Sequence, residues 1–546
     1  MKFLITLSLI VFVGSLQAQN LKESLDKIKS YVKEIQLDKS SVNQQFSYEA
    51  ATPYDVKLTV TTTDSKGKSA EEIFVFNLGF FDKNFVKRTA SDKMMKIEMQ
   101  AAQNLKVVEH TKNGEKQNYD SEITLLANNI DDARELEKFL KDAIPAAKTA
   151  WEASVKLPKD DLAQLSTWFE QHITDFGTVK QSIKKAANAK DRAVLTIEKT
   201  DGKKTTENQY EWSWGDLIEN NLAVNISGKE ISVVAQTQNK NEFVRISENG
   251  SIKEYDKEIR FFAPTPSEAK VLAMAIQKMI PLARKELQAR TPKPNSSVDG
   301  FKQLKDLVGD FSVNTSDFKQ KIDATCVTNY VVNSTIKGKS KEETYGFNFG
   351  DLGTYKLNIS RELIKISAST IDNKKFVSLS TNGALQNYDN SVDFYVEDIE
   401  KARYLMAILP VVSQGCKQAP KPETFAWLAQ KVKNANLQSY SQELVYQEDG
   451  EKCKLKLTVS EASSKKTVET IYEFNLYDIE PKAITLDVSG KLIYVNGGTV
   501  NREKFIKSFK DGKPSFTNEL PLILDSLEDA KKANITLKAL VETCKK

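Results

Sequence analysis

Three markers hold register four times along this chain. An alternating apolar triplet occurs at Phe74-Phe76-Leu78, Tyr210-Trp212-Trp214, Tyr345-Phe347-Phe349 and Tyr472-Phe474-Leu476. A turn dipeptide follows at Asn113-Gly114, Asn249-Gly250, Asn382-Gly383 and Asp511-Gly512, at offsets of 39, 39, 37 and 39 from the first aromatic. An alanine in an amphipathic stretch comes next, Ala133, Ala269, Ala402 and Ala530, after a further 20, 20, 20 and 19 residues. Repetition at so long a period means one structural unit built several times.

Each copy opens on a helical pattern, clearest in Leu21, Leu25, Ile28, Val32 and Ile35, which share one face at 3.6 residues per turn. Period-2 runs follow, such as Leu455, Leu457 and Val459, the alternation of a half-buried antiparallel strand. Asn-Gly and Asp-Gly between two such runs supply the positive φ of a tight hairpin. A closing helix carries Leu136, Leu140, Ala143 and Ile144 in copy one. The expected class is α+β: four tandem repeats, each an opening helix, a six- or seven-stranded antiparallel meander sheet and a C-terminal helix. Seven strands under a closing helix resemble the pleckstrin-homology superfold, on element order alone. Polar, Pro-bearing joints place the repeats at 19–158, 159–295, 296–420 and 421–546, as a string of domains.

Residues 1–18 (MKFLITLSLIVFVGSLQA) read as a signal peptide: Lys2, an apolar run from Phe3 to Val13, then small residues to Ala18. The run is too short to span a bilayer, and no later segment approaches the length of a membrane helix. The mature chain is expected to be exported and soluble, either periplasmic or secreted. Seventy-eight basic residues against 74 acidic ones leave a formal charge of +4 in 546 residues, which argues against nucleic acid as a partner.

The residues that could carry chemistry are few. Two histidines argue against a site built on several His ligands. His110 has Ile246, Leu379 and Ser508 as counterparts, so it is not a repeated feature, and His172 stands alone on an opening helix. Asp216, Asp351 and Asp478 recur six residues after the first aromatic, where an acid usually caps a turn; copy one has Phe80. Tyr119, Tyr255 and Tyr388 recur after the turn, with Thr517 in copy four, and read as structural contacts. Tyr210, Trp212 and Trp214 could form a ligand platform, although alternate positions on one strand face are usually core. Phosphate-loop, dinucleotide, nucleophile-elbow and zinc-helix motifs are all lacking. No catalytic, cofactor-binding or metal-binding residue is assigned, and no cofactor is expected. The leading expectation is a non-catalytic binding or scaffold protein whose partner is a protein or cell-envelope component. The alternative is a carrier of a lipid or small apolar ligand within the bent sheets; an enzyme ranks third.

The four cysteines give the sharpest expectation. Cys326 and Cys453 each precede their first aromatic by 19 residues, and Cys416 and Cys544 each follow their alanine by 14. Copies one and two hold Asp55 and Asp191 at the early position and Ala147 and Ala283 at the late one. Cysteines therefore occur in complete pairs or not at all. That pattern predicts structural bonds Cys326–Cys416 and Cys453–Cys544, permitted in an oxidising compartment.

Overall fold

The alternating runs become strands, but they do not form one meander. In the second copy, strands Val179–Lys185, Arg192–Asp201 and Lys204–Ser213 pair in succession. A 3₁₀ turn, Trp214–Asp216, then diverts the chain. Strands Leu217–Ser227 and Glu230–Thr237 begin a second sheet. The chain next returns to the first sheet with Val244–Glu248 and Ser251–Asp256, and ends in the second with Glu258–Phe262. Each copy thus holds two antiparallel sheets in interleaved order, which corrects the single meander sheet. The larger sheet has six strands in copies one and three and five in copies two and four; the smaller always has three.

The structure is a computed structural model and describes residues 20–546 apart from 38–39, 92–93, 188, 436–438, 448–452 and 465. The expected signal peptide, 1–18, lies outside the described residues. Eight helices accompany the eight sheets among the described residues. They are α1 (20–31), α2 (Ile130–Ser154), α3 (Leu162–His172), α4 (Pro266–Arg290), α5 (Ser297–Leu307), α6 (Ile399–Cys416), α7 (Phe425–Lys433) and α8 (Leu527–Cys544).

A local device makes each diversion between sheets. Asn77, Ser213, Asn348 and Asn475 accept the backbone N–H two residues ahead, on Gly79, Gly215, Gly350 and Tyr477. Asp216, Asp351 and Asp478 end these turns. At three of the four turns glycine lets the closing helix come close. A Cβ on Gly79 would stand 2.6 Å from the Lys148 backbone, and one on Gly350 would stand 2.5 Å from the Cys416 carbonyl oxygen.

A second device shuts the two sheets against each other. Gln181 donates through Nε2 to the Phe262 carbonyl (2.7 Å) and accepts the Phe262 N–H (3.1 Å). Gln44 clamps Leu126 in the same two-way fashion, and Gln442 clamps Ile523. Gln320 donates to the Tyr395 carbonyl. All four are buried. Each links an early strand of the larger sheet to the last strand of the smaller, so buried backbone groups at the sheet ends find partners.

The copies do not stand as four separate beads. Contacts divide the chain into two compact units, one ending at Arg290 and the other comprising Thr291–Lys546. The first holds copies one and two, the second copies three and four. In the first, Phe80, Val107, Tyr119 and Trp151 of copy one share a buried cluster with the core of copy two.

Candidate functional site

Each pair of copies meets at a junction, and one of the two junctions holds a polar cavity. The two junctions are built alike. The Tyr119 N–H donates to the Gly228 carbonyl at 3.2 Å, and the Tyr388 N–H to the Gly490 carbonyl at 3.1 Å. Both glycines turn with φ of +61°. The repeated tyrosine thus marks a contact between copies made through its backbone.

At the second junction lies a cavity of about 730 Å³, with the Cys326–Cys416 bond in its wall. Its polar lining is an ion network. Lys531 reaches Asp351 at 2.5 Å and Glu528 at 2.7 Å, Asn348 donates to Glu528 at 3.1 Å, and Lys532 stands 3.7 Å from Glu423. Burial pushes the Asp351 carboxyl above its ordinary value, against the pull of Lys531. Val327 and Ile371, 56 % and 42 % exposed, give the same cavity an apolar flank. A pocket with an apolar wall and fixed charges can hold and orient a small ligand or a partner's side chain.

The early strand and closing helix are tied in three different ways. The disulfides join Cys326 to Cys416 and Cys453 to Cys544, with Cα atoms 5.4 and 5.9 Å apart, the pairs expected from the register. Copy two uses an ion pair: Arg290 Nε and Nη2 each donate to Asp191 at 2.9 Å, and Ser213 donates to the same carboxylate at 2.5 Å. Burial pushes that carboxyl up. The hydrogen bonds from Arg290 and Ser213, with the guanidinium charge, outweigh it and hold the acid below its usual range. Copy one uses a hydrogen bond from Tyr54 to Ser154 (2.9 Å).

Trp212 and Trp214 form no open platform. Both are buried and meet each other, Phe169 and Phe261 at ring distances of 4.9–5.8 Å, while Tyr210 is half-buried. The described cavities lie elsewhere. His110 stacks on Phe74 at 4.5 Å, with Nδ1 3.0 Å from Asp120 and Nε2 4.0 Å from Glu72. His172 lies flat on Trp168 at 3.9 Å, its Nδ1 2.7 Å from the Trp168 carbonyl. Nothing brings the two histidines together. Among the described residues no three His, Cys, Asp or Glu side chains converge as a metal site, and no helix is long and apolar enough to cross a membrane.

Sequence reasoning missed the four glutamine clamps, the Asn and Ser caps and the Asp191–Arg290 pair. Lys270 and Lys531, one residue after the alanine marker, could have been found from the register. Comparison with protein-family models gives no match to this chain, and comparison with curated proteins gives none either.

Proposed function

We propose that this is an exported, non-catalytic binding or scaffold protein of the cell envelope or extracellular space. One observation carries the reading: the same junction is built twice, through Tyr119–Gly228 and Tyr388–Gly490, so copies are held in fixed pairs. Fixed pairs present large preorganised surfaces, and similar surfaces in tandem raise effective concentration for a partner that meets more than one. The two disulfides suit an oxidising compartment. We further propose the repeat boundaries at 158/159, 295/296 and 420/421 after a signal peptide at 1–18. The likeness to pleckstrin-homology units is kept as a reading of element order. The carrier reading draws less support, because Trp212, Trp214, Phe347 and Phe349 are buried among other rings.

The mature chain, immobilised and offered envelope extract at physiological salt, is expected to retain a saturable component that excess free chain displaces. Retention of nothing above a blank support overturns the proposal.

A further inference from the structure

The two junctions handle one lysine differently. Lys531 follows the alanine marker of copy four by one residue, and Lys270 follows that of copy two. Lys531 meets two carboxylates, Asp351 across the junction and Glu528 on its own helix. At the register positions of those acids the first junction holds Phe80 and Ser267. Lys270 accordingly lies over the Phe80 ring, Nζ 4.5 Å from its centroid. Phe80 is itself 5 % exposed and packs edge-on against Trp151. Among the described residues no carboxylate pairs with Lys270. The nearby charge is of its own sign: Lys148, which the register equates with Lys417 in the wall of the second cavity. Lys148 itself has Glu152 at 4.0 Å, whereas the half-buried Lys270 ammonium has only a ring face for company and is poorly compensated.

We propose that the first junction is a carboxylate-binding site, in which Lys270, with Lys148, takes from a ligand the charge that Asp351 and Glu528 supply at the second. The side chains of Asp351 and Glu528 stand in for the ligand's carboxylate. Burial first, and then the Lys148 ammonium, depress the Lys270 amine below its ordinary value, and a bound anion would oppose that shift. The inference goes beyond the scaffold reading and does not depend on it. The carboxylate could belong to a free small acid or to an acidic peptide.

The test is amine labelling of the intact mature chain, read lysine by lysine by mass spectrometry, with benzoate, acetate or a tetraglutamate peptide as probe. The expected result is a saturable fall of threefold or more in labelling at Lys270, with Lys531 unchanged. Protection by benzoate or acetate assigns the site to small acids; protection by the peptide alone assigns it to peptides. Phe80→Asp, which puts a carboxylate where Asp351 stands, should protect Lys270 without any probe. Should that variant fail to fold, calorimetry on Lys270→Gln, confirmed folded by circular dichroism, replaces it: probe binding must vanish. Labelling at Lys270 that no probe alters, or equal protection of all lysines, overturns the proposal, as does undiminished probe binding by Lys270→Gln.

Discussion

The first pair of copies and the second close their helices onto the same strands by different means. In the first pair α2 and α4 run for 25 residues each; in the second α6 and α8 run for 18 and stop on a cysteine. The extra length amounts to about two turns. It places Trp151 and Ser154, or Arg290, where they meet Phe80, Tyr54 and Asp191. The shorter helices lack those turns and have a covalent bond instead. Helix length and crosslink are thus interchangeable ways to hold one helix end against an early strand.

Reduction should separate the pairs most sharply, because all four cysteines lie in the second. Each bond closes a loop near 90 residues, and its loss should cost about 2–5 kcal/mol. Hydrogen exchange with and without reductant should show protection falling in the strands after Thr291 while those before Arg290 keep theirs. Equal loss in both halves would break the comparison.

The ion pair is the corresponding point in copy two. Asp191 is fully buried, so Asp191→Ala removes the carboxylate that Arg290 and Ser213 both bind and should cost about 3–5 kcal/mol in urea unfolding. Four of the five tryptophans lie in the first pair, so intrinsic fluorescence reports on that half. The folded-state carboxyl of Asp191 sits below its unfolded value. Its stabilisation is therefore present above the ordinary Asp range and is lost as pH falls through the folded-state value. A wild-type acid transition that Asp191→Asn leaves unmoved would remove the pair from the account.

Smaller effects test what the pairs share. Gln181→Ala and Gln442→Ala each free the N–H and carbonyl of the clamped strand, Gln181→Ala the Thr174 carbonyl as well, and each should cost about 1–3 kcal/mol. Similar values would show that the clamp is indifferent to how the helix is tied. Gly79→Ala should cost about 1–3 kcal/mol by forcing α2 off the turn. Tyr477→Ala, at the same register but 60 % exposed, should change stability by less than about 0.5 kcal/mol. Equal thermal shifts in these last two variants would mean that the close helix approach at Gly79 has no energetic weight.

Local rules made much of this fold legible. Period-2 runs, the Asn-Gly and Asp-Gly turns and the paired cysteine offsets each follow from residues close in sequence or fixed in register. The division into two sheets was hidden, because Lys204–Ser213 and Leu217–Ser227 are both extended and only a three-residue turn parts them. Which strand pairs with which is then decided over distance, as when Val244–Glu248 returns to pair with Lys204–Ser213. The glutamine clamps left no sequence signal either, since each binds a backbone amide 75–82 residues away, and backbone has no residue identity. The junctions were half visible: the tyrosines were marked, but their partners are glycines in distant hairpins.

The placement of the two crosslinks also sets how this chain would answer a pull on its ends. A copy closed by hydrogen bonds and an ion pair can be drawn out to its full contour once its clamped strands part. A copy whose early strand is bonded to its closing helix keeps some 90 residues out of the stretched path. At roughly 3.4 Å per extended residue, each crosslink withholds on the order of 300 Å. Tension would therefore lengthen the N-terminal half far more than the C-terminal half, giving one molecule an extensible segment and a stiff one.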